Sequence, residues 1–164
     1  MRLIKLVIIS LIVLSVLVTA ISALFPSTVI VSRAMEMSAS ANQIAHYTSD
    51  LNQWKFWMSD WKENKAIWKD STVYIGTQTI KQVAKSDTTV IYDWVATGQR
   101  PYIVKFEWIP TQKGIYVVHW SFEQHVKWYP WEKFQTLLNE KVLGYKMEME
   151  LANLRELLLQ ENNK

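Results

Sequence analysis

Residues 131–160, WEKFQTLLNEKVLGYKMEMELANLRELLLQ, follow Pro130 and contain no further proline. Trp131, Phe134, Leu138, Val142, Tyr145, Met149 and Ala152 recur every three or four positions, the period of one helix face. Leu143, Met147, Leu151, Leu154 and Leu158 widen that stripe. Glu132, Lys133, Glu140, Lys146, Glu148, Glu150 and Arg155 largely take the other side. The pattern predicts a single helix of about 45 Å at 1.5 Å per residue. Gly144, inside it, can bend the rod or let it come close to a neighbour. A helix of this length must bury its stripe against something, and the preceding residues have to supply that surface.

They do so with strands. From Ala66 the period falls to two, through IWK, STVYIGTQTIKQV, TTVIYDWVAT, PYIVKFEWIPT and GIYVVHWSFEQ. The breaks are turn material: Lys85–Ser86–Asp87, Gly98–Gln99–Arg100–Pro101 and Gln112–Lys113–Gly114. Links this short predict an antiparallel meander. In the last three runs one parity carries Val90, Tyr92 and Trp94, then Tyr102, Val104, Phe106 and Trp108, then Tyr116, Val118, Trp120 and Phe122. The other parity carries Asp93, Lys105, Glu107, His119, Ser121 and Glu123. One face is wet and one is paved with aromatics, and the long helix is its cover.

Further upstream, FPSTVIVSRAMEM (25–37) reads as a strand interrupted by Arg33, whose expected direction is outward. Ser38 or Ser40 can cap a short helix over ANQIAHYTSDL. In WKFWMSDW (54–61), Trp54, Trp57, Met58 and Trp61 share one face of a second short helix. At the N-terminus, Arg2 and Lys5 precede twenty uncharged residues, 6–25, long enough at about 30 Å to cross a bilayer. This predicts an N-terminal transmembrane anchor (1–26) with its cationic end in the cytoplasm and residues 27–164 translocated as one domain. A cleaved signal peptide is the competing reading. With Arg2 and Lys5 set aside from the 18 basic residues, the rest nearly balances 15 acidic ones, and no basic cluster suggests nucleic acid. No cysteine is present, so disulfides, thiol nucleophiles, thiolate metal sites and lipidation after the apolar run are excluded.

The order of elements resembles the START/polyketide-cyclase-like superfamily, the helix-grip fold of the birch-pollen-type allergens, often written SRPBCC. The resemblance is carried by SRAMEMSASANQIAHYTSDLNQWKFW (32–57) and HWSFEQHVKWYPWEKFQTLLNEKVLGYKMEMELANLREL (119–157). In the second stretch a W-x-F strand leads through a loop into the closing helix, as in the membrane-anchored bacterial branch. It implies an α+β domain: a curved antiparallel sheet around a long C-terminal helix, with two short helices after the first strand. The interval from Trp57 to Tyr74 is shorter than that family's two full strands need, so a missing or stunted strand is expected there.

The resemblance also implies a cavity between sheet and helix. Its expected lining is Tyr92, Trp94, Val104, Phe106, Trp108, Tyr116, Val118, Trp120, Phe122, Phe134, Leu138 and Tyr145, with Trp54, Trp57, Met58 and Trp61 at its mouth. The bland alternatives are that these rings are core, and that the WKFWMSDW indoles staple short helices to the sheet. Lys127–Trp128–Tyr129–Pro130–Trp131 can likewise meet lipid or form satellite packing. No H-x-x-x-H pair, nucleophile elbow or phosphate-binding loop occurs, so no catalytic residue, metal or cofactor is expected. The sequence therefore favours a membrane-anchored binding module for a hydrophobic small molecule or lipid, single-pass in the inner membrane with its domain in the periplasm. The rivals are a cyclase/aromatase-like enzyme and an envelope protein with a closed pocket.

Overall fold

The computed structural model describes residues 2–163 except 25, 64, 70 and 99, and leaves the side chains of 63 and 134–139 undescribed. The elements are α1 (Arg2–Ala23), β1 (Thr28–Ser38), α2 (Ala41–Ser49), a 3-10 helix (Leu51–Phe56), α3 (Ser59–Glu63), β2 (Ala66–Lys69), β3 (Thr72–Ile75), β4 (Gln78–Lys85), β5 (Thr89–Ala96), β6 (Tyr102–Gln112), β7 (Ile115–His125) and α4 (Pro130–Asn162). Seven antiparallel strands form one sheet in the order β1-β7-β6-β5-β4-β3-β2. The meander from β2 to β7 is thus completed by the first strand, which pairs with β7 from Thr28↔His125 to Ser38↔Ile115.

Local chemistry explains the joints. Gly114 takes φ +77° in the two-residue link between β6 and β7, a conformation open to glycine at little steric cost. Register shifts at Gln82/Ala84 and Pro110/Gln112 add bulges, which bend and twist the sheet around its cover. Ser40 caps α2 by a reciprocal capping box: Gln43 N–H donates to Ser40 Oγ at 3.3 Å, and Ser40 N–H donates to Gln43 Oε1 at 2.9 Å. The stretch from Trp57 to Tyr74 contains two strands, β2 and β3, each only four residues long. Neither strand is missing, but both are stunted.

The concave face is the core. Tyr92, Val104, Phe106, Trp108 and Val118 are fully buried, and Trp120 and Phe122 nearly so. Burial of each large apolar side chain contributes about 2–3 kcal/mol relative to exposure. Against them α4 presents Met147, Leu151, Leu154 and Leu158, all buried. The described large side chains of the other apolar stripe of α4 are largely exposed. Trp131, Val142, Tyr145 and Met149 are 65, 74, 66 and 48% exposed. The expectation that both stripes form one sheet-facing band is corrected: Trp131, Tyr145 and Met149 lie on the outer side of the rod.

Two further readings change. Arg33 faces α4: its Nε donates to Glu148 Oε1 and its Nη1 to the Ser32 carbonyl at 2.7 Å. A side chain at Gly144 would collide with that guanidinium, so the glycine leaves the notch into which the arginine folds. WKFWMSDW is not one helix either. It is a 3-10 turn ending at Phe56, a corner at Trp57 and Met58, and the five-residue α3.

Candidate functional site

Between the sheet, α3 and the middle of α4 lies a pocket of about 340 Å³, partly open to solvent. Sheet side chains Trp94, Ala96, Tyr102, Trp120 and Phe122 form one wall, and Met58, Leu143 and Met147 the opposing one. Phe122 packs against Trp94, Tyr102 and Trp120 with ring centroids 5.4, 5.8 and 5.4 Å apart. Asp60, Val142 and Lys146 also line it; Val142 is largely exposed, and Lys146 and Asp60 form an ion pair linking α4 to α3.

The polar groups are few and mostly engaged. Glu150, 2% exposed, accepts from the Ser59 N–H with both carboxylate oxygens at 3.0 and 3.1 Å and from Asn153 Nδ2 at 3.2 Å. Gln78 Oε1 accepts from Trp94 Nε1 at 3.0 Å. Trp120 differs: it lines the pocket, is almost fully buried, and its Nε1–H meets no acceptor among the described residues. An unpaired buried donor costs about 1–3 kcal/mol, and a guest with a carbonyl or ether oxygen would relieve that.

Two of the remaining indoles, Trp54 and Trp57, have a different task. Helix α2 ends with free carbonyls, as every helix does. Trp54 Nε1 and Tyr92 Oη both donate to the Thr48 carbonyl, at 3.2 and 2.7 Å, and Trp57 Nε1 donates to the Tyr47 carbonyl at 3.1 Å. Burial, and after it the charge of Asp50, push the Tyr92 phenol above its ordinary range, so it stays a neutral donor. Trp54 also packs on Trp57, Trp61, Trp94 and Phe106 at 5.5–5.9 Å. Trp54, Trp57 and Trp61 form a buried aromatic plug that packs on the sheet beside the pocket.

No family model matches the chain, and no curated protein matches it. Solved structures do. A norcoclaurine synthase point mutant from Thalictrum flavum, in complex with a transition-state analogue, superposes with a TM-score of 0.63 at 15% identity, over 82% of this chain and 96% of that one. XoxI from Bacillus cereus gives 0.60 at 14%, over 81% and 97%. The di-domain ARO/CYC protein StfQ of the steffimycin biosynthetic pathway gives 0.62 at 9%, over 84% of this chain and 52% of that one. With a seven-stranded antiparallel sheet closed by a 33-residue terminal helix, the architecture is decided. This is a helix-grip fold.

Within the helix-grip frame the expected cavity residues separate into groups. Trp94, Trp120, Phe122 and Met58 line the pocket. Tyr92, Val104, Phe106, Trp108 and Val118 lie in the packed core beside it, and Tyr116 is half-buried at its edge. Trp54, Trp57 and Trp61 are buried in the plug, where their indoles satisfy the end of α2 or pack on one another, and they do not line the pocket. Tyr145 is on the outer face of α4, and Phe134 and Leu138 fall outside the described side chains. The expected lining left out Tyr102, Val142, Leu143 and Met147 among the less polar contributors, and Asp60, Gln78, Ala96, Lys146 and Glu150 besides. A signal existed for two of them: Lys146 and Glu150 are four apart and flank Met147, on the helix face that packs inward.

Proposed function

We propose that the chain is a membrane-anchored binding module that holds a hydrophobic small molecule or lipid between the sheet and α4. The observation that carries this reading is the pocket itself. Its volume is within the range of about 300–1,000 Å³ used for small ligands, its sheet-side wall is mainly aromatic, and Trp120 Nε1–H has no acceptor among the described residues. The guest that suits it is largely apolar with one hydrogen-bond acceptor. The solved norcoclaurine synthase, with its bound analogue, supports the same use of this fold.

The anchor is α1, a 22-residue apolar helix long enough to span a bilayer. In this reading residues 1–26 are the anchor and 27–164 the binding domain, held outside the cytoplasm at the inner membrane with Arg2 and Lys5 retained inside. Binding is favoured over a cyclase-like reaction because the pocket's carboxylates are already committed, Glu150 to Ser59 and Asn153, and Asp60 to Lys146.

Native mass spectrometry of the full chain released from detergent is expected to show a bound apolar species that recurs across expression hosts and enters an organic extract. Only ligand-free mass from every host would reject the binding reading.

A further inference from the structure

The link between β7 and α4, with the first turn of α4, carries three rings in four residues, Trp128, Tyr129 and Trp131. They pack on each other: Tyr129 stacks 4.8 Å from Trp131 with planes 8° apart, and lies 4.9 Å from Trp128 at a tilt of 38°. Yet Trp128 and Trp131 are 62 and 65% exposed, whereas Trp54 and Trp57 are wholly buried. Two indoles in water on one short segment form an unusual apolar surface for a lone soluble domain.

The segment is held firmly. Glu132 accepts from the Lys127 N–H at 2.8 Å and from Arg100 Nη2 at 3.4 Å, and the Arg100 carbonyl accepts from Gln124 Nε2 at 3.1 Å. The Val126 N–H donates to the Ser27 carbonyl at 2.8 Å. The rings therefore stand on a fixed mount.

Its position is what identifies the partner. Ser22, in the last turn of α1, donates from Oγ to the Trp128 carbonyl at 3.2 Å. The buried ammonium of Lys133 donates to the Ser22 carbonyl at 3.1 Å, placing a cation at the negative end of α1. These two bonds fasten the aromatic segment to the end of the apolar helix, the level at which a spanning helix leaves the hydrocarbon. Tryptophan and tyrosine prefer that level because a flat apolar ring there keeps its N–H or O–H wet. Lys127, 5.8 Å over the Tyr129 ring, adds a cation at the height of lipid phosphates.

We infer that Trp128, Tyr129 and Trp131 form a lipid-contacting surface seated in the headgroup layer of the bilayer that α1 spans. It fixes the domain's tilt and keeps the pocket a fixed short distance from the membrane. The inference rests on α1 being an anchor, and the test separates the two. The full chain is reconstituted in phosphatidylcholine–phosphatidylglycerol vesicles, with and without phosphatidylcholine bearing a nitroxide near the headgroup. Tryptophan emission is compared with that of the Trp128→Phe/Trp131→Phe variant. Nitroxide quenching of the wild type is expected, with most of it gone in the double variant. Equal quenching in both, with protein still held in vesicles after an alkaline carbonate wash, overturns the surface and leaves the anchor standing. Protein lost to the wash overturns both.

Discussion

Replacing Trp54 by alanine is expected to lower the melting temperature of the domain by about 15 °C. Trp54 is fully buried and packs on four other large rings besides Tyr92, whose centroid is 5.0 Å away. Truncating a buried tryptophan costs about 3–5 kcal/mol, the lost transfer energy plus the cavity left behind. For a domain of this size each kcal/mol shifts the midpoint by about 3–5 °C. The loss extends beyond packing, because Trp54 Nε1 shares the Thr48 carbonyl with Tyr92 and so helps end α2. Trp131→Ala is the matched control: it removes the same side chain from a position outside the core, where the loss is confined to its stack on Tyr129, about 1 kcal/mol. Thermal unfolding followed by far-ultraviolet circular dichroism decides the matter. Similar shifts for the two variants would contradict the plug.

The second large effect is on binding. Ala96 ends β5, pairs with Gln78 and lines the pocket on the same parity as Trp94. Ala96→Trp places an indole in the space a guest would use. Affinity for a neutral apolar probe, N-phenyl-1-naphthylamine, is expected to fall at least tenfold, about 1.4 kcal/mol. Stability should hold or rise, because an indole that fills a hollow gains contacts without displacing core atoms. Unchanged affinity, measured by fluorescence titration, would place the probe elsewhere.

The strands were legible because each of β5, β6 and β7 alternates cleanly. Val104, Phe106 and Trp108 are buried, while Lys105 and Glu107 pair with one another on the wet side. The closing helix was legible in existence but not in phase. Trp131, Val142, Tyr145 and Met149 are as apolar as Leu143, Met147, Leu151 and Leu154, so periodicity offers two answers and only packing chooses. Arg33 misled for a related reason. A cation within a strand normally faces water, but Gly144 opens a notch and Glu148 supplies the countercharge across 115 residues of sequence. β2 and β3 are near the lower limit of strand length and leave too few alternations to read. In the pocket the aromatic wall followed from strand parity. The polar contributors did not, because Asp60 and Glu150 are brought to the pocket by the packing of α3 against α4 and by no shared local pattern.

Methionine methyl NMR tests the pocket most directly. Met58 and Met147 line it, Met37 is buried in the core away from it, and Met149 is on the outer face of α4. With 13C-methyl methionine in the full chain and N-phenyl-1-naphthylamine as the guest, the Met58 and Met147 methyls should shift and show nuclear Overhauser contacts to the probe rings. Met37 and Met149 should stay in place. Contacts confined to Met149, or saturable binding that leaves Met58 and Met147 unmoved, would contradict a guest site between sheet and helix.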